Sequence, residues 1–534
     1  TTQTPDGWVF YSIDADLRLQ SIMGLQTWNA IRALDFLASL PDVDPDRLAV
    51  TGGSGGGTQS ILLGALDERI KVSFPNGMVS TSMQGGCFCE NCNYLRVGTG
   101  NVELAALFAP RPQAMTAADD WTKEMMQDGY PELRWLYAML GDENDVYCRP
   151  MLHFKHNYNY VTRATMYQWM NRHLGLGLDD PVVESDFDPL TEEETTVWTA
   201  EHPAPTNVGI DHERAVCKWL DDQANRKLTQ QPRNRTEFLH FVELIGSALP
   251  VLYGVDVFPS AQQWSDAETI KHHSLTDTTL HGLHITMGLL RDESRGAELP
   301  LLTVRSASSE PAENANGDDT DRPTKVVVWT DGVGKDAAFD ANGLPSEMLK
   351  TLAAQATVLL PDLLGQGEFN RDQREVTTQR VVDDKRSYSA FTFGYNRTLV
   401  AQRVGDLLSV VRHANHLAKG NIRLVATGGA APWAAAAAPM IPSQYLQRTL
   451  IDTQGFRFAN VESYRDANFV PGAVKYGDLP VLLAIGSGDR QIVGEPVEVV
   501  SRVRELSQQV PSAGDVRGNV LTVDADENLL WLLE

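Results

Sequence analysis

Residues 47–59 read RLAVTGGSGGGTQ, and this stretch decides the fold. The short, mostly apolar run from Arg47 to Thr51 follows a turn of Pro and Asp residues, which predicts a buried strand. Glycines follow this run, and a helical pattern resumes from Thr58 to Leu66. A strand, a Gly-rich turn and a helix in this order place Ser54 in the turn between them.

Strand and helix patterns alternate on both sides of this stretch. Helical spacing is predicted for Gln20–Leu40, Pro131–Leu140 and Tyr160–Leu174. Three apolar runs predict further strands at Val72–Val79, Gln113–Ala118 and Val146–His153. Because parallel strands need crossover helices between them, the alternation predicts a parallel sheet and the α/β class.

A second α/β pattern begins near Thr276. Its predicted strands are Leu283–Leu290, Leu299–Val304, Lys325–Trp329, Thr357–Leu360, Ile422–Ala426, Thr449–Thr453 and Leu479–Ile485. An acidic, Pro-rich stretch ends the first pattern, and linking helices are predicted after it. We therefore expect a first domain at 1–190, a linking helical segment at 191–275 and a second domain at 276–534.

The composition is that of an acidic globular protein. The chain has 45 basic and 70 acidic residues, a formal net charge of −25, and 42% hydrophobic residues. Such a charge repels phosphate backbones, so no nucleic-acid partner is expected. No apolar run has the length needed to cross a bilayer, so no membrane partner is expected either.

Gly52-Gly53-Ser54-Gly55-Gly56 fits the pattern G-x-S-x-G. Glycines in this pattern permit a strained turn that raises the serine hydroxyl above the sheet. The backbone N–H of Gly55 would then stabilise an oxyanion at the start of the helix. A serine becomes nucleophilic only when an imidazole accepts its proton and a carboxylate orients that imidazole.

In the α/β-hydrolase fold, which this pattern predicts, the acid and then the histidine follow the serine at the ends of later strands. Asp119 and Asp120 both follow the strand that begins at Gln113, and strand ends are too uncertain to choose between them. His153 falls inside a predicted apolar strand, where a core imidazole is expected. His156 follows that strand in a polar turn, so we favour it as the base.

A cysteine cluster, Cys87, Cys89 and Cys92, forms the pattern C-x-C-x-x-C in a loop expected to overhang the active site. Three thiolates and a fourth ligand could hold zinc. No fourth ligand is nearby in the sequence, so packing or a local disulfide is the preferred interpretation. We expect neither a metal nor a cofactor.

Several blocks of the first half resemble the bacterial α/β-hydrolase family of acetyl xylan esterases and dienelactone-hydrolase-like proteins. These blocks are Leu17–Asp35, Asp44–Gln59, Ser80–Asn91, Leu107–Lys123 and His156–Asn159. In that family the triad acid precedes the Trp of an Asp-Trp-Thr block, and the triad histidine opens a His-Asn-Tyr-Asn block. The resemblance therefore implies Asp120 as the acid and His156 as the base. It also implies a substrate pocket lined by Glu90, Asn91, Trp121 and Asn157.

The resemblance implies a serine-dependent carboxylic ester hydrolase, exported by a bacterium, that deacetylates a polysaccharide such as xylan. Its substrate would be a small-molecule or polysaccharide ester. Two alternatives stay open. One is a serine peptidase related to prolyl oligopeptidase, with the same triad, and the other is a non-catalytic carbohydrate-binding or scaffold protein.

The family's members are longer at the N-terminus, so the first domain is expected to be a hydrolase fold that lacks its first strands. The second domain is expected to be a degenerate hydrolase-like copy. Its residues Arg423–Ala430 overlay Arg47–Ser54, with alanine in the place of the serine. Asp489 occupies a plausible acid position, but no histidine follows His416 in the sequence.

Overall fold

The computed structural model describes residues 8–229, 235–254, 264, 269–308, 325–370, 376–382, 388–418, 420–508, 513–519 and 523–534. The chain forms two compact units. The first contains Thr1–Asp16, Gln20–Lys218 and Val382–Asn396, and the second contains Leu17–Leu19, Trp219–Val381 and Arg397–Glu534. Both units combine parallel strands with helices, so the predicted α/β class is confirmed.

The first unit contains a four-stranded sheet in the order β1-β2-β3-β4. Its strands are β1 (Leu48–Gly53), β2 (Ile70–Asn76), β3 (Gln113–Ala117) and β4 (Val146–Pro150). All three neighbouring pairs are parallel. Every residue of β3 is buried, as expected for a parallel strand that is covered on both faces.

The α-helices of the first unit are α1 (Ile13–Asp16), α2 (Ile22–Ser39), α3 (Gly55–Leu66), α4 (Asn101–Ala106), α5 (Tyr130–Leu140), α6 (Tyr160–Leu174), α7 (Glu192–Thr195) and, much later in the chain, the short helix Ala390–Phe393. A further helix, α8 (Ile210–Thr229), begins in this unit. The start of α6 is determined locally, because the Asn159 side chain accepts hydrogen bonds from the N–H groups of Val161 and Thr162.

The core of the first unit lies between its sheet and its helices. One buried cluster joins α3, β3 and α5 and includes Ile61, Met115 and Tyr137. Another joins β2 to α6 through Phe74 and Trp169. Packing on both faces of the sheet holds the strand ends, and with them the turns that follow each strand, in fixed positions.

A nine-stranded sheet forms the centre of the second unit, in the order β13-β12-β11-β10-β8-β9-β7-β6-β5. Its strands are β5 (Ile270–Leu280), β6 (Leu283–Asp292), β7 (Ala297–Ser306), β8 (Val326–Asp331), β9 (Thr357–Pro361), β10 (Ile422–Thr427), β11 (Leu446–Asp452), β12 (Gly488–Val493) and β13 (Ala513–Asn519). The pairs from β5 to β7 and from β7 to β9 are antiparallel, and the remaining pairs are parallel.

The second unit's longer helices are Arg235–Tyr253, Glu347–Ala353, Leu399–Ala418, Ala431–Ala437, Asp478–Ile485, Val497–Ser507 and Asp526–Leu533. One predicted strand was wrong, because Leu479–Ile485 lies inside the helix Asp478–Ile485 and the strand follows at Gly488. A short apolar run suits a buried helix as well as a buried strand, and periodicity alone does not separate them.

Candidate active site

Ser54 lies in the sharp turn between β1 and α3. Its backbone φ is 57° and its ψ is −122°, which is a left-handed and strained conformation for a residue with a side chain. The Ser54 N–H donates to the carbonyl of Asn76 at 3.0 Å, at the end of the neighbouring strand β2. The serine is thus held above the carboxyl end of the sheet, as expected for a nucleophile elbow.

Two of the glycines around Ser54, Gly52 and Gly57, lie where a side chain would clash with backbone atoms. A Cβ atom at Gly52 would clash with the backbone of Gly56. A Cβ atom at Gly57 would lie 2.5 Å from the carbonyl oxygen of Asn76. Gly55 is the first residue of α3, so its N–H has no acceptor within the helix and lies at the positive end of the helix dipole.

Asp120 and His156 are hydrogen-bonded to each other. The distance between His156 Nδ1 and Asp120 Oδ2 is 2.8 Å. The Asp120 side chain is 5% exposed and that of His156 is 32% exposed. The other carboxylate oxygen, Oδ1, accepts hydrogen bonds from the Thr122 N–H at 2.7 Å and the Thr122 hydroxyl at 2.6 Å. This arrangement directs Nε2 of the imidazole away from the acid.

Sheet register brings these two turns together. Ala117 at the end of β3 pairs with Pro150 at the end of β4, so the segments after both strands leave the same edge. The Asp119 N–H then donates to the carbonyl of Phe154 at 2.8 Å, which joins the two turns directly.

Asp119 and His153 were the competing candidates. The Asp119 carboxylate is hydrogen-bonded to the Lys155 ammonium, which holds the pKa of Asp119 below its usual range. His153 is exposed, because β4 ends at Pro150. The expectation that His153 is a core imidazole inside a strand was therefore wrong, although Asp120 and His156 are the pair that meets.

Gly77 lies between the Ser54 backbone and the His156 ring. A Cβ atom at Gly77 would lie 2.8 Å from His156 Cε1 and 3.8 Å from the Ser54 nitrogen, so both residues pack against this glycine. The Trp121 ring lies against the imidazole, with ring centroids 4.4 Å apart, and its indole N–H donates to the Gly77 carbonyl at 2.7 Å. Trp121 thus borders the imidazole from the turn that carries Asp120.

Sequence reasoning missed Asn76, which is buried at the end of β2. Its carbonyl accepts from the Ser54 N–H, and its side-chain amide donates to the Asn157 carbonyl at 2.9 Å. A hydrogen bond from the Thr116 hydroxyl orients the same amide. Asn76 therefore connects the serine turn to the histidine turn. No local pattern in the sequence indicated this role.

Glu90 and Asn91 occupy different environments in the loop that follows β2. The Glu90 side chain lies 3.4 Å from where a Cβ atom of Gly55 would be, and Glu90 is 6% exposed. Asn91 is fully buried, and its amide donates to the carbonyls of Gly85 and Cys87. Both residues thus support the loop, because Glu90 Oε2 accepts hydrogen bonds from the N–H groups of Gly86 and Cys87. Glu90 Oε1 lies beside the expected oxyanion site. Asn157 caps the histidine turn through its bond to Asn159.

A distant segment of the chain, 388–396, supports this loop within the first unit. The Tyr395 hydroxyl donates to Asn91 Oδ1 at 2.9 Å, and the Arg96 N–H donates to the Gly394 carbonyl at 2.7 Å. Phe88 packs against Tyr388, with ring centroids 5.1 Å apart. The loop that carries Glu90 is therefore ordered by residues about 300 positions later in the sequence.

All cysteines are free thiols. Burial raises the pKa of Cys87 to about 12, with a contribution from its hydrogen bond to Cys89, and raises that of Cys92 to about 11. These thiols are protonated at neutral pH. Across the described ranges, no group of three His, Cys, Asp or Glu side chains is placed to hold a metal ion.

A parallel sheet and a strained strand–serine–helix turn define the first unit as an α/β-hydrolase fold. A family model for glucuronyl esterases of fungi matches residues 2–92, which include Ser54 and Glu90. Among curated proteins, none matches the chain. Within the part of the chain that the structure describes, no helix has both the length and the apolar content to cross a membrane.

Three solved structures illustrate the similarity. A methylesterase is 27% identical to this chain. The match covers 40% of this chain and 51% of the methylesterase, with a TM-score of 0.29. A putative acetyl xylan esterase from Bacteroides fragilis is 10% identical, with 59% and 88% covered and a TM-score of 0.37. A family 15 glucuronoyl esterase from Caldicellulosiruptor kristjansonii is 20% identical, with 32% and 56% covered and a TM-score of 0.25.

The chain spans about half the length of the methylesterase. Each of these three proteins is an esterase by name. Glucuronyl esterases, which the family model adds, were not among the expectations from the sequence.

Proposed function

We propose that this chain is a serine-dependent carboxylic ester hydrolase that acts on a carbohydrate ester. The main support is that a strained serine and an acid-bound imidazole pack against one glycine, Gly77. Strain at a residue with a side chain is retained where the surrounding structure enforces it, and such positions cluster at active sites.

In the proposed reaction, Ser54 Oγ attacks the ester carbonyl carbon while His156 Nε2 accepts the hydroxyl proton. The Gly55 N–H stabilises the oxyanion at the start of α3. His156 then donates the proton to the departing alcohol, which leaves an acyl group on Ser54. Water attacks this acyl-enzyme, with His156 again as base, and the free acid is released. Asp120 orients the imidazole and stabilises its protonated form.

Our first candidate substrate is an acetylated polysaccharide such as xylan. In that reaction the acetyl group is transferred to the serine and the sugar is the leaving alcohol. The sequence blocks that resemble acetyl xylan esterases favour it.

The second candidate is an ester of a uronic acid, in which the sugar itself is the acyl group. Two observations favour it: the glucuronyl esterase model over 2–92 and the 27% identity to a methylesterase. Glu90 would then contact the acyl sugar, since it lies beside Gly55. The carboxylate would accept hydrogen bonds from sugar hydroxyl groups.

Release of acetate from acetylated xylan and of methanol from methyl glucuronate esters, measured side by side, separates these candidates. A dipeptide amide tests the peptidase alternative in the same assay. We expect ester hydrolysis by the parent chain and none by Ser54→Ala. Hydrolysis that persists in Ser54→Ala, or no hydrolysis of any ester by the parent chain, would refute the proposal.

A further inference from the structure

The first unit has a cavity apart from the serine turn. It has a volume of about 400 Å³ and is lined by residues of α5, α6 and the edge strand β4. Val146 and Tyr147, at the amino end of β4, form part of its wall. His156 follows the carboxyl end of the same strand and is not among the lining residues. The volume is typical of small-ligand sites.

Three arginines, Arg134, Arg149 and Arg172, line this cavity in a chain whose net charge is −25. Arg134 forms an ion pair with Glu143 at 3.0 Å. Among the residues that the structure describes, Arg149 donates one hydrogen bond, to the Thr165 hydroxyl at 3.0 Å, so most of its N–H donors have no protein acceptor there.

Arg172 has neither a hydrogen bond nor an ion pair within the described residues. Asp180 is the remaining carboxylate in the lining. The lining therefore holds three guanidinium groups and two carboxylates. Arg172 also lies close to Asp142, where hydrogen bonds from Asn144 and then the Arg172 charge hold the pKa of that carboxyl below its usual range.

Aromatic rings form another part of the wall. Tyr147 and Trp169 are stacked, with centroids 6.2 Å apart and planes inclined by 17°. Trp169 is 7% exposed, and its indole nitrogen is buried without a hydrogen-bond partner in the part of the chain that is described. The nitrogen is enclosed by protein atoms, so Trp169 contributes to this wall the apolar surface of its ring, stacked on Tyr147, and not a hydrogen-bond donor.

We propose that this cavity binds a sugar ring that carries a carboxylate, as in the uronic acid residues of polysaccharides. Arginine binds a carboxylate through two parallel hydrogen bonds, which suits Arg149 and Arg172. The apolar face of the sugar ring would lie on Tyr147. A neutral sugar would offer the guanidinium groups only hydroxyl acceptors, without the charge-assisted bidentate contact, and an inorganic anion would make no contact with the aromatic rings. This site does not depend on the proposed ester hydrolysis.

Isothermal titration calorimetry on the full chain tests this inference with tetragalacturonate, which has no ester to hydrolyse. The neutral galactose tetramer of the same linkage is the matched ligand. We expect tetragalacturonate to bind about tenfold more tightly than the neutral tetramer, because charge-assisted hydrogen bonds are lost with the latter. Arg149→Ala/Arg172→Ala should weaken tetragalacturonate binding by about tenfold or more.

Arg32→Ala/Arg47→Ala removes the same charge from exposed ion pairs outside the cavity and should leave binding unchanged. If the Arg149→Ala/Arg172→Ala variant fails to fold, Arg149→Lys/Arg172→Lys is the substitute. It retains the charge without the planar guanidinium group and should still weaken binding. Tyr147→Ala should weaken both tetramers.

Three results would overturn the inference. The first is equal binding of tetragalacturonate by the parent chain and both Arg149/Arg172 variants. The second is equal or absent binding of the acidic and the neutral tetramer by the parent chain. The third is displacement of tetragalacturonate by an equal concentration of inorganic phosphate.

Discussion

Two turns with nearly the same sequence, Arg47–Ser54 and Arg423–Ala430, differ in backbone at the point where their strands end. In the first unit β1 continues through Gly53, and Ser54 takes a φ of 57°. In the second unit β10 ends at Thr427, and the left-handed conformations fall on Gly428 and Gly429, with φ of 56° and 91°. Ala430, at φ −76°, already has helical geometry.

The acids that follow the corresponding strands differ as well. Asp120, after β3, is bonded to an imidazole, whereas Glu495, after β12, forms an ion pair with Arg457 at 2.6 Å. Asp489 was expected in the acid position of the second unit, but it lies near the start of β12, at the opposite end of the strand. The comparison teaches that a similar sheet is not enough for an active site. The turn after the first strand must hold a serine in the strained conformation, and the acid must be free to bind an imidazole.

The largest expected effect comes from removal of the serine. Ser54→Ala should lower kcat by about 10⁶-fold, because no other hydroxyl lies on the strained turn. Ser39→Ala, at the end of α2, is the matched control and should retain full activity. Kinetics on the preferred ester measure both. Substantial activity in Ser54→Ala would mean that the turn of the first unit does not carry the nucleophile.

Asp120→Asn should lower kcat by about 10⁴-fold, because an amide would not hold the imidazole in the correct tautomer. Asp119→Asn provides the control. It breaks a surface ion pair with Lys155 and should change kcat by less than about twofold. Equal losses in the two variants would mean that the Asp120–His156 contact has no special role.

Asn76→Ala should lower kcat by about 10²-fold with little change in KM, because the turn with His156 would lose its bond to the end of β2. The loss should persist across the pH range, since the change displaces the imidazole without altering its neighbours' charges. Asn144→Ala, on an exposed turn, is the control. A normal kcat in Asn76→Ala would limit this residue to a structural role.

Acid should destabilise the second unit more than the first. Burial lowers the pKa of His413, in the second unit, to about 4, and the nearby rings of His272 and His416 contribute. The unfolded chain binds this proton near pH 6.5 and the folded unit only near pH 4, so stability is lost as the pH falls between these values.

From pH 7 to 5 the free energy of unfolding of the second unit should fall by about 2 kcal/mol. Regional hydrogen exchange at both pH values measures this change, and His413→Gln should reduce it. Equal loss of protection in both units would contradict the assignment to His413.

The smallest expected effect is that of Ala430→Ser. It places a serine at the sequence position that matches Ser54, but the backbone there is helical and the acid after β12 is paired with Arg457. We therefore expect no hydrolysis above background when this change is made in the Ser54→Ala chain. Measurable turnover would show that the difference between the two turns is unimportant.

Much of the fold and the candidate site could be predicted from the sequence. The pattern around Ser54 indicates the elbow, because strand, glycines and helix follow in order. Chain order and the predicted strand ends left two candidates for the acid, Asp119 and Asp120, and two for the base, His153 and His156. The roles of Asn76 and Gly77 could not be predicted, because they depend on which backbone atoms meet at neighbouring strand ends.

The contacts that hold the loop after β2 could not be predicted from the sequence either. The segment 388–396 packs on the loop after β2, and no local pattern indicates so distant a partner. The helix at Asp478–Ile485 was mistaken for a strand because its residues are apolar on most sides. Domain limits at 190 and 276 and the site assignments remain predictions.

Labelling with a fluorophosphonate probe, followed by peptide mass spectrometry, tests the central claim most directly. We expect one adduct, on the peptide that contains Ser54, with labelling abolished in Ser54→Ala and strongly slowed in His156→Ala. An unlabelled parent chain, or an adduct on a different serine, would contradict the claim that Ser54 is an activated nucleophile.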